Sequence, residues 1–182
     1  MAEVFVRRLT RWQADQQREA IADMYVETYR RAQGEEYHDR QEFLRRFSED
    51  VQRPGFDMVV ANTTGPAGCG YGFRLDRGGD WWHDFLGARS RDAEELTASG
   101  KVFAVAELMV LPSVRRRHIA TRVMEQLMAR LDAELVTARV EPANVPARSA
   151  LQSWGWARLG DARTSPQTPV FEVWSKPARL PL

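Results

Sequence analysis

"KVFAVAELMVLPSVRRRHIATRVMEQL", residues 101–127, is the stretch on which the architecture turns. Residues 101–111 are almost continuously apolar, the pattern of a central strand buried on both faces. From about residue 117 to 133 the apolar positions Ile119, Ala120, Val123, Met124, Leu127, Met128 and Leu131 follow helical spacing. Between strand and helix stand Arg115, Arg116 and Arg117. A helix entrance carries partial positive charge and disfavours each cation by about 0.3–1 kcal/mol. Asp, Glu, Ser and Thr are its usual occupants. The penalty becomes a gain when an anion sits there, because unpaired first-turn N–H groups and guanidinium forks both suit phosphate oxygens. A solvated basic turn explains the spacing equally well. A nucleic-acid patch fits less well, since the formal net charge is +1 and no aromatics interleave with the basic residues.

Outward from this unit, residues 4–10 read as a strand, about 13–31 as a helix and about 39–51 as a second helix. Residues 56–75 form two strands about a Gly65–Pro66 turn. Residues 76–100 fit no regular element and read as an inserted loop with one helical turn. Residues 136–140 are a strand, 144–154 a helix with Pro146 in its first turn, and 156–162 and 169–175 closing strands. This order is α/β with a mixed sheet, organised as a single domain over residues 1–182.

Composition narrows the function classes. Among 182 residues, 43% are hydrophobic and 28% charged, as in ordinary soluble domains. Nearly every cation is arginine, a bias associated with GC-rich bacterial genomes. The single cysteine, Cys69, excludes a disulfide framework and a thiolate-rich zinc site, and points to a reducing cytoplasm. No apolar run approaches the roughly 20 residues of a membrane helix, and the N-terminal residues lack a signal-peptide core. The expected setting is cytoplasmic, with no membrane, nucleic-acid or metal partner.

The segment Val110, Leu111, Pro112, then Arg115 to Ala120, resembles the acetyl-CoA pyrophosphate loop, R-x-x-G-x-G/A, of the GNAT superfamily of N-acetyltransferases. About 25 residues on, "EPANVPARSALQSWGW" (141–156) resembles that family's second signature, N-x-x-A followed by aromatic-glycine-aromatic. "FAVAELMVLP" (103–112) is similar to a bacterial group of unassigned substrate. The resemblance implies a mostly antiparallel sheet of about seven strands flanked by about four helices. It implies acetyl-CoA as cosubstrate and a small-molecule or peptide amine as acceptor, with a homodimer left open. The cofactor contacts it implies are Arg115, Arg116, Arg117, His118, Ile119, Ala120 and Thr121, with Asn144 and Arg148 on the later helix. The N–H near Met109 or Val110 would hold the thioester oxygen. His118 replaces the loop's usual glycine, which histidine can do with a helical φ and an outward ring. Leu151 stands where the family commonly has a tyrosine that protonates the departing thiolate; Tyr29 or Tyr37 are the other candidate acids, and Tyr29 is also a candidate acceptor contact.

An ammonium acceptor must lose a proton before it attacks, and Glu107 in the apolar strand is the candidate base. Strand alternation groups it with Phe103, Val105 and Met109, so a structural role is equally open. For the acceptor wall, Trp81 and Trp82 stand in a polar loop beside Asp80, His83 and Asp84, and an extended chain cannot turn both rings inward. They either cover a pocket or latch the loop. The reading is an acetyl-CoA-dependent N-acetyltransferase; its rival is an acyl-CoA-binding domain without turnover.

Overall fold

In the computed structural model, residues 3–29, 40–77, 80–82, 91–163 and 170–178 are described. The elements are β1 (Phe5–Leu9), α1 (Arg11–Gln16), α2 (Arg18–Tyr29), α3 (Arg40–Val51), β2 (Asp57–Asn62), β3 (Pro66–Arg74) and α4 (Arg91–Ala98). There follow β4 (Val102–Val110), α5 (Ile119–Met128), β5 (Leu135–Val140), α6 (Val145–Ser153), β6 (Ala157–Ala162) and β7 (Phe171–Pro177). The seven strands run in the order β1-β2-β3-β4-β5-β7-β6. Of the pairings with a stated register, only β4 with β5 is parallel. The chain divides into two compact units, Met1–Phe73 with Ala106–Arg130, and Arg74–Val105 with Leu131–Leu182.

The described residues hold six α-helices rather than about four. The helix expected over 13–31 is two, because Thr10 starts α1 and Gln17 ends it. The Thr10 hydroxyl accepts from the Gln13 N–H while the Gln13 side chain accepts from the Thr10 N–H, a reciprocal cap. The other addition is α4, inside the stretch expected to be irregular. Ala93 and Thr97 are its buried positions, too thin a stripe to register as periodicity. Helix α5 stops at Met128, short of the expected 133. Near that end, the Arg8 guanidinium bonds both the Gln126 carbonyl and the Asp57 carboxylate.

In the first unit, β1, β2 and β3 are antiparallel, with Met58 opposite Tyr71 and Val60 opposite Cys69. These four pack into one core with Ile21, Tyr25, Phe43, Phe47 and Met109. Tyr25 stacks on Phe43 at 4.4 Å between ring centroids, and Phe47 meets Tyr71 edge-on at 5.1 Å. The opposite sheet face receives α5. A Cβ on Gly70 would fall 2.9 Å from Val123 Cγ1, and one on Gly68 would fall 2.9 Å from the Met109 carbonyl oxygen. Glycine at these two positions is what lets β4 and α5 close on β3.

In the second unit the first half of β4 pairs with β5 from Val102 opposite Leu135 to Val105 opposite Ala138. Strand β7 lies between β5 and β6. Its buried Glu172 faces two cations, with Arg148 Nε at 2.7 Å and Arg158 Nε at 3.2 Å. A carboxylate inside a strand is tolerable with such pairing.

Candidate active site

Glu107 sits three residues before the end of β4 and is half-buried. The Tyr29 hydroxyl, on the last residue of α2, donates to Glu107 Oε1 at 2.6 Å. Burial pushes the Glu107 carboxyl above its ordinary range, while the Tyr29 bond and the Arg46 charge pull it back and Asp50 adds to the rise. Burial also raises the Tyr29 phenol well above its ordinary value, reinforced by the Glu107 charge. Tyr29 therefore stays protonated and serves as a fixed donor. Its ring lies 4.9 Å from that of Tyr25, and the Arg46 guanidinium lies 5.8 Å from the Tyr25 and Phe43 rings. A carboxyl held by one phenol near the Arg46 cation is equipped to take up a proton and return it.

After β4, a short 3-10 turn at Pro112–Val114 leads to Arg115 in extended backbone. Arg116 (φ 63°) and His118 (φ 58°, ψ 22°) then adopt the left-handed conformation, the two non-glycine residues to do so among those described. His118 was expected to carry a helical φ. It instead takes, at the N-cap of α5, the left-handed backbone that glycine adopts freely. No side chain caps this helix and its first turn holds no acidic residue, so the entrance keeps its attraction for anions. Ile119 is buried, Ala120, Thr121 and Arg117 are half-buried, and Arg116 and His118 are exposed. Met109 is buried and Val110 half-buried. The Arg115 guanidinium turns back onto main chain, Nε to the Val110 carbonyl and Nη2 to the Thr28 carbonyl, each at 3.3 Å.

In the second unit, the other sequence candidates have internal partners. Asn144 caps α6, its Oδ1 accepting from the Ala147 N–H at 3.2 Å. Arg148 carries the ion pair with Glu172, close in distance but not aligned as a hydrogen bond. Leu151 is buried at 5% exposure. The extended chain assumed for Trp81 and Trp82 is a 3-10 turn, Asp80–Trp82, which gives both rings a packed place. Trp82 is buried and its Nε1 donates to Thr97 Oγ1 at 2.9 Å. The Arg139 guanidinium lies 4.4 Å from the Trp81 ring and bonds the Trp81 carbonyl. The latch reading describes their contacts. His83, Asp84 and Tyr37 lie outside the described residues.

Two participants escaped sequence reasoning. Arg46 follows Phe43 by three residues and so shares the side of α3 that meets the core, a spacing that could have exposed it. The Thr28 carbonyl is main chain and leaves no sequence signal. Among the described residues no group of three or more His, Cys, Asp or Glu could hold a metal ion, and no helix is long and apolar enough to cross a membrane.

Residues 18–156 match the model of the acetyltransferase (GNAT) family. The chain belongs to that family. No curated protein matches it in sequence. Solved GNAT-like structures share the fold at low identity. One is yncA, a putative acetyltransferase from Salmonella typhimurium with its cofactor acetyl-CoA, at 14% identity and TM-score 0.64, covering 100% of this chain and 97% of that one. PaiA N-acetyltransferase from Thermoplasma acidophilum, in complex with coenzyme A, has 13% identity and TM-score 0.65, covering 96% and 99%. A phosphinothricin acetyltransferase from Sinorhizobium meliloti, in complex with acetyl-CoA, has 16% identity and TM-score 0.62, covering 96% and 88%.

Proposed function

We propose that this GNAT protein transfers the acetyl group of acetyl-CoA to a primary amine, which attacks the thioester directly. The observation that carries the reading is Glu107: a half-buried carboxyl with a raised pKa, held by Tyr29 at 2.6 Å on the strand that leads into an uncapped helix entrance. The entrance of α5 suits a pyrophosphate, with the side chains of Arg116 and Arg117 and the N–H groups of Ile119 and Ala120 as the proposed contacts. Acetyl-CoA bound there supplies an activated acyl carbon and a thiolate leaving group. The N–H groups of Met109 and Val110 are the proposed donors to the thioester oxygen.

Glu107 takes one proton from the acceptor's ammonium group, directly or through a water. The freed nitrogen lone pair forms the C–N bond, the C–S bond breaks with its electron pair leaving on sulfur, and the second proton shed by the nitrogen passes to the departing thiolate or to water. Tyr29 holds the carboxylate oriented throughout and keeps its own proton. Leu151 has no proton to give. A thiol of pKa about 8.5 leaves acceptably as the anion near neutral pH, so no side-chain acid is required. Buried, unpaired Cys69 is consistent with a reducing, cytoplasmic setting.

Free thiol release tests the proposal: the protein is mixed with acetyl-CoA and a panel of small amines, amino sugars and lysine-containing peptides. Amine-dependent thiol release that disappears in Glu107→Gln supports it. The buried Leu151 favours a second reading, acyl-CoA binding without turnover. That reading requires calorimetric binding of acetyl-CoA with no thiol released by any amine.

A further inference from the structure

The Tyr29–Glu107 pair joins two elements, α2 and β4, and its 2.6 Å bond depends on their separation. Arg115 touches both. Its Nη2 donates to the carbonyl of Thr28, the residue next to Tyr29, and its Nε donates to the carbonyl of Val110, the last residue of β4. The Thr28 carbonyl lies in the final turn of α2, where no i+4 N–H exists within the helix to meet it. A cation there is favoured by the helix dipole as well as by the hydrogen bond. The guanidinium is planar and its N–H groups point in fixed directions, so two simultaneous bonds fix a spacing as well as an attraction. The two elements it ties carry the phenol and the carboxyl.

We propose that Arg115 is a positioning residue. By bracing the end of α2 against the end of β4 it holds the Tyr29 hydroxyl on Glu107, and it is not a ligand of the phosphates. The inference rests on the reading of Glu107 as the base. It separates Arg115 from Arg116 and Arg117, which sequence alone treats alike.

Loss of the brace lets the phenol withdraw, and a hydrogen bond that favours the carboxylate weakens. The other groups facing Glu107 are Arg46 and Asp50 from α3 and Cys69 and Tyr71 from β3. The Arg115 side chain hydrogen-bonds the Val110 and Thr28 carbonyls and none of these four groups.

The test is carbon-13 NMR titration of glutamate side-chain carboxyls in the full chain, with the Glu107 signal assigned by its loss in Glu107→Gln. Tyr29→Phe should move the Glu107 midpoint upward. Arg115→Ala should move it the same way, and the double variant no further than Tyr29→Phe alone, the non-additivity expected of one coupled unit. Arg115→Lys, which keeps a donor for one carbonyl, should fall between wild type and Arg115→Ala. Coenzyme A affinity by calorimetry should stay within about twofold in Arg115→Ala, since a lost charged hydrogen bond to phosphate would cost roughly tenfold or more. An unchanged Glu107 midpoint in Arg115→Ala overturns the proposal, as does full additivity with Tyr29→Phe or a tenfold loss of coenzyme A affinity. The titration needs neither acceptor nor turnover. A protein that acetylates no amine still returns the Arg115 result, and an unchanged midpoint leaves the acetyl-transfer reading standing.

Discussion

His118 shows how much a single backbone dihedral can cost. Its φ of 58° places a side chain in the left-handed region, at about 1–2 kcal/mol for a residue with a Cβ. Glycine removes that penalty but gives back part of the gain through a more flexible unfolded chain, roughly 0.5–1 kcal/mol. His118→Gly should therefore raise stability by up to about 1 kcal/mol, measured by denaturant midpoint, without weakening acetyl-CoA binding. A lower midpoint would show that the exposed imidazole makes a contact worth more than the strain. Glu107→Gln belongs to the same scale. It keeps an acceptor for the Tyr29 hydroxyl but has no basic site, so kcat/KM should fall by roughly 10²–10⁴. Acetyl-CoA should still bind by calorimetry. A folded, equally active variant would remove Glu107 from the mechanism.

At the scale of elements, the loop into α5 carries charges that oppose its own helix. Replacing Arg116 and Arg117 together with alanine should weaken acetyl-CoA binding, at about 1.5–3 kcal/mol per charged hydrogen bond lost. The ligand-free melting temperature should hold or rise, because two cations leave a positive helix end. Unchanged affinity in calorimetry would remove both arginines from the phosphate site. Strand β4 and helix α5 were legible in the sequence because each has a long apolar pattern of one period, continuous for β4 and helical for α5. The division of α1 from α2 was not, since it depends on reciprocal bonds between Thr10 and Gln13 that interrupt no periodicity. The packing of Trp81 and Trp82 was not legible either, since it depends on a three-residue turn, Asp80–Trp82. Glu107 was visible as a charge within an apolar strand. Its partner Tyr29, 78 positions away in sequence, carries no sequence signal that ties it to Glu107 and reads only as a candidate acid or acceptor contact.

Across the whole molecule, the same carboxyl should appear in the pH dependence of stability. Burial raises Glu107 above its ordinary value of 4.5, and raises Asp50 above 3.8 despite the Arg53 ion pair. A raised folded-state pKa means that the native protein binds the proton more tightly than the unfolded chain does. The resulting stability is fully present below the unfolded value and is lost as pH rises through the folded one. Wild-type stability should therefore decline from pH 4.5 upward until Glu107 has ionised. Exposed Glu42, lowered by its bond to Arg45, acts in the opposite sense, but solvent screens it. Glutamine at 107 cannot ionise, so Glu107→Gln should flatten the decline and leave the Asp50 contribution, which begins from that group's ordinary value of 3.8. Denaturant unfolding of both proteins at matched pH values reads this directly. The variant should be the more stable protein at neutral pH while being the poorer catalyst, because the carboxyl that activates the amine is one whose charged form burial disfavours. Parallel stability curves for the two proteins would mean that Glu107 ionises as freely in the fold as outside it, and its claim to be a tuned base would lose its physical ground.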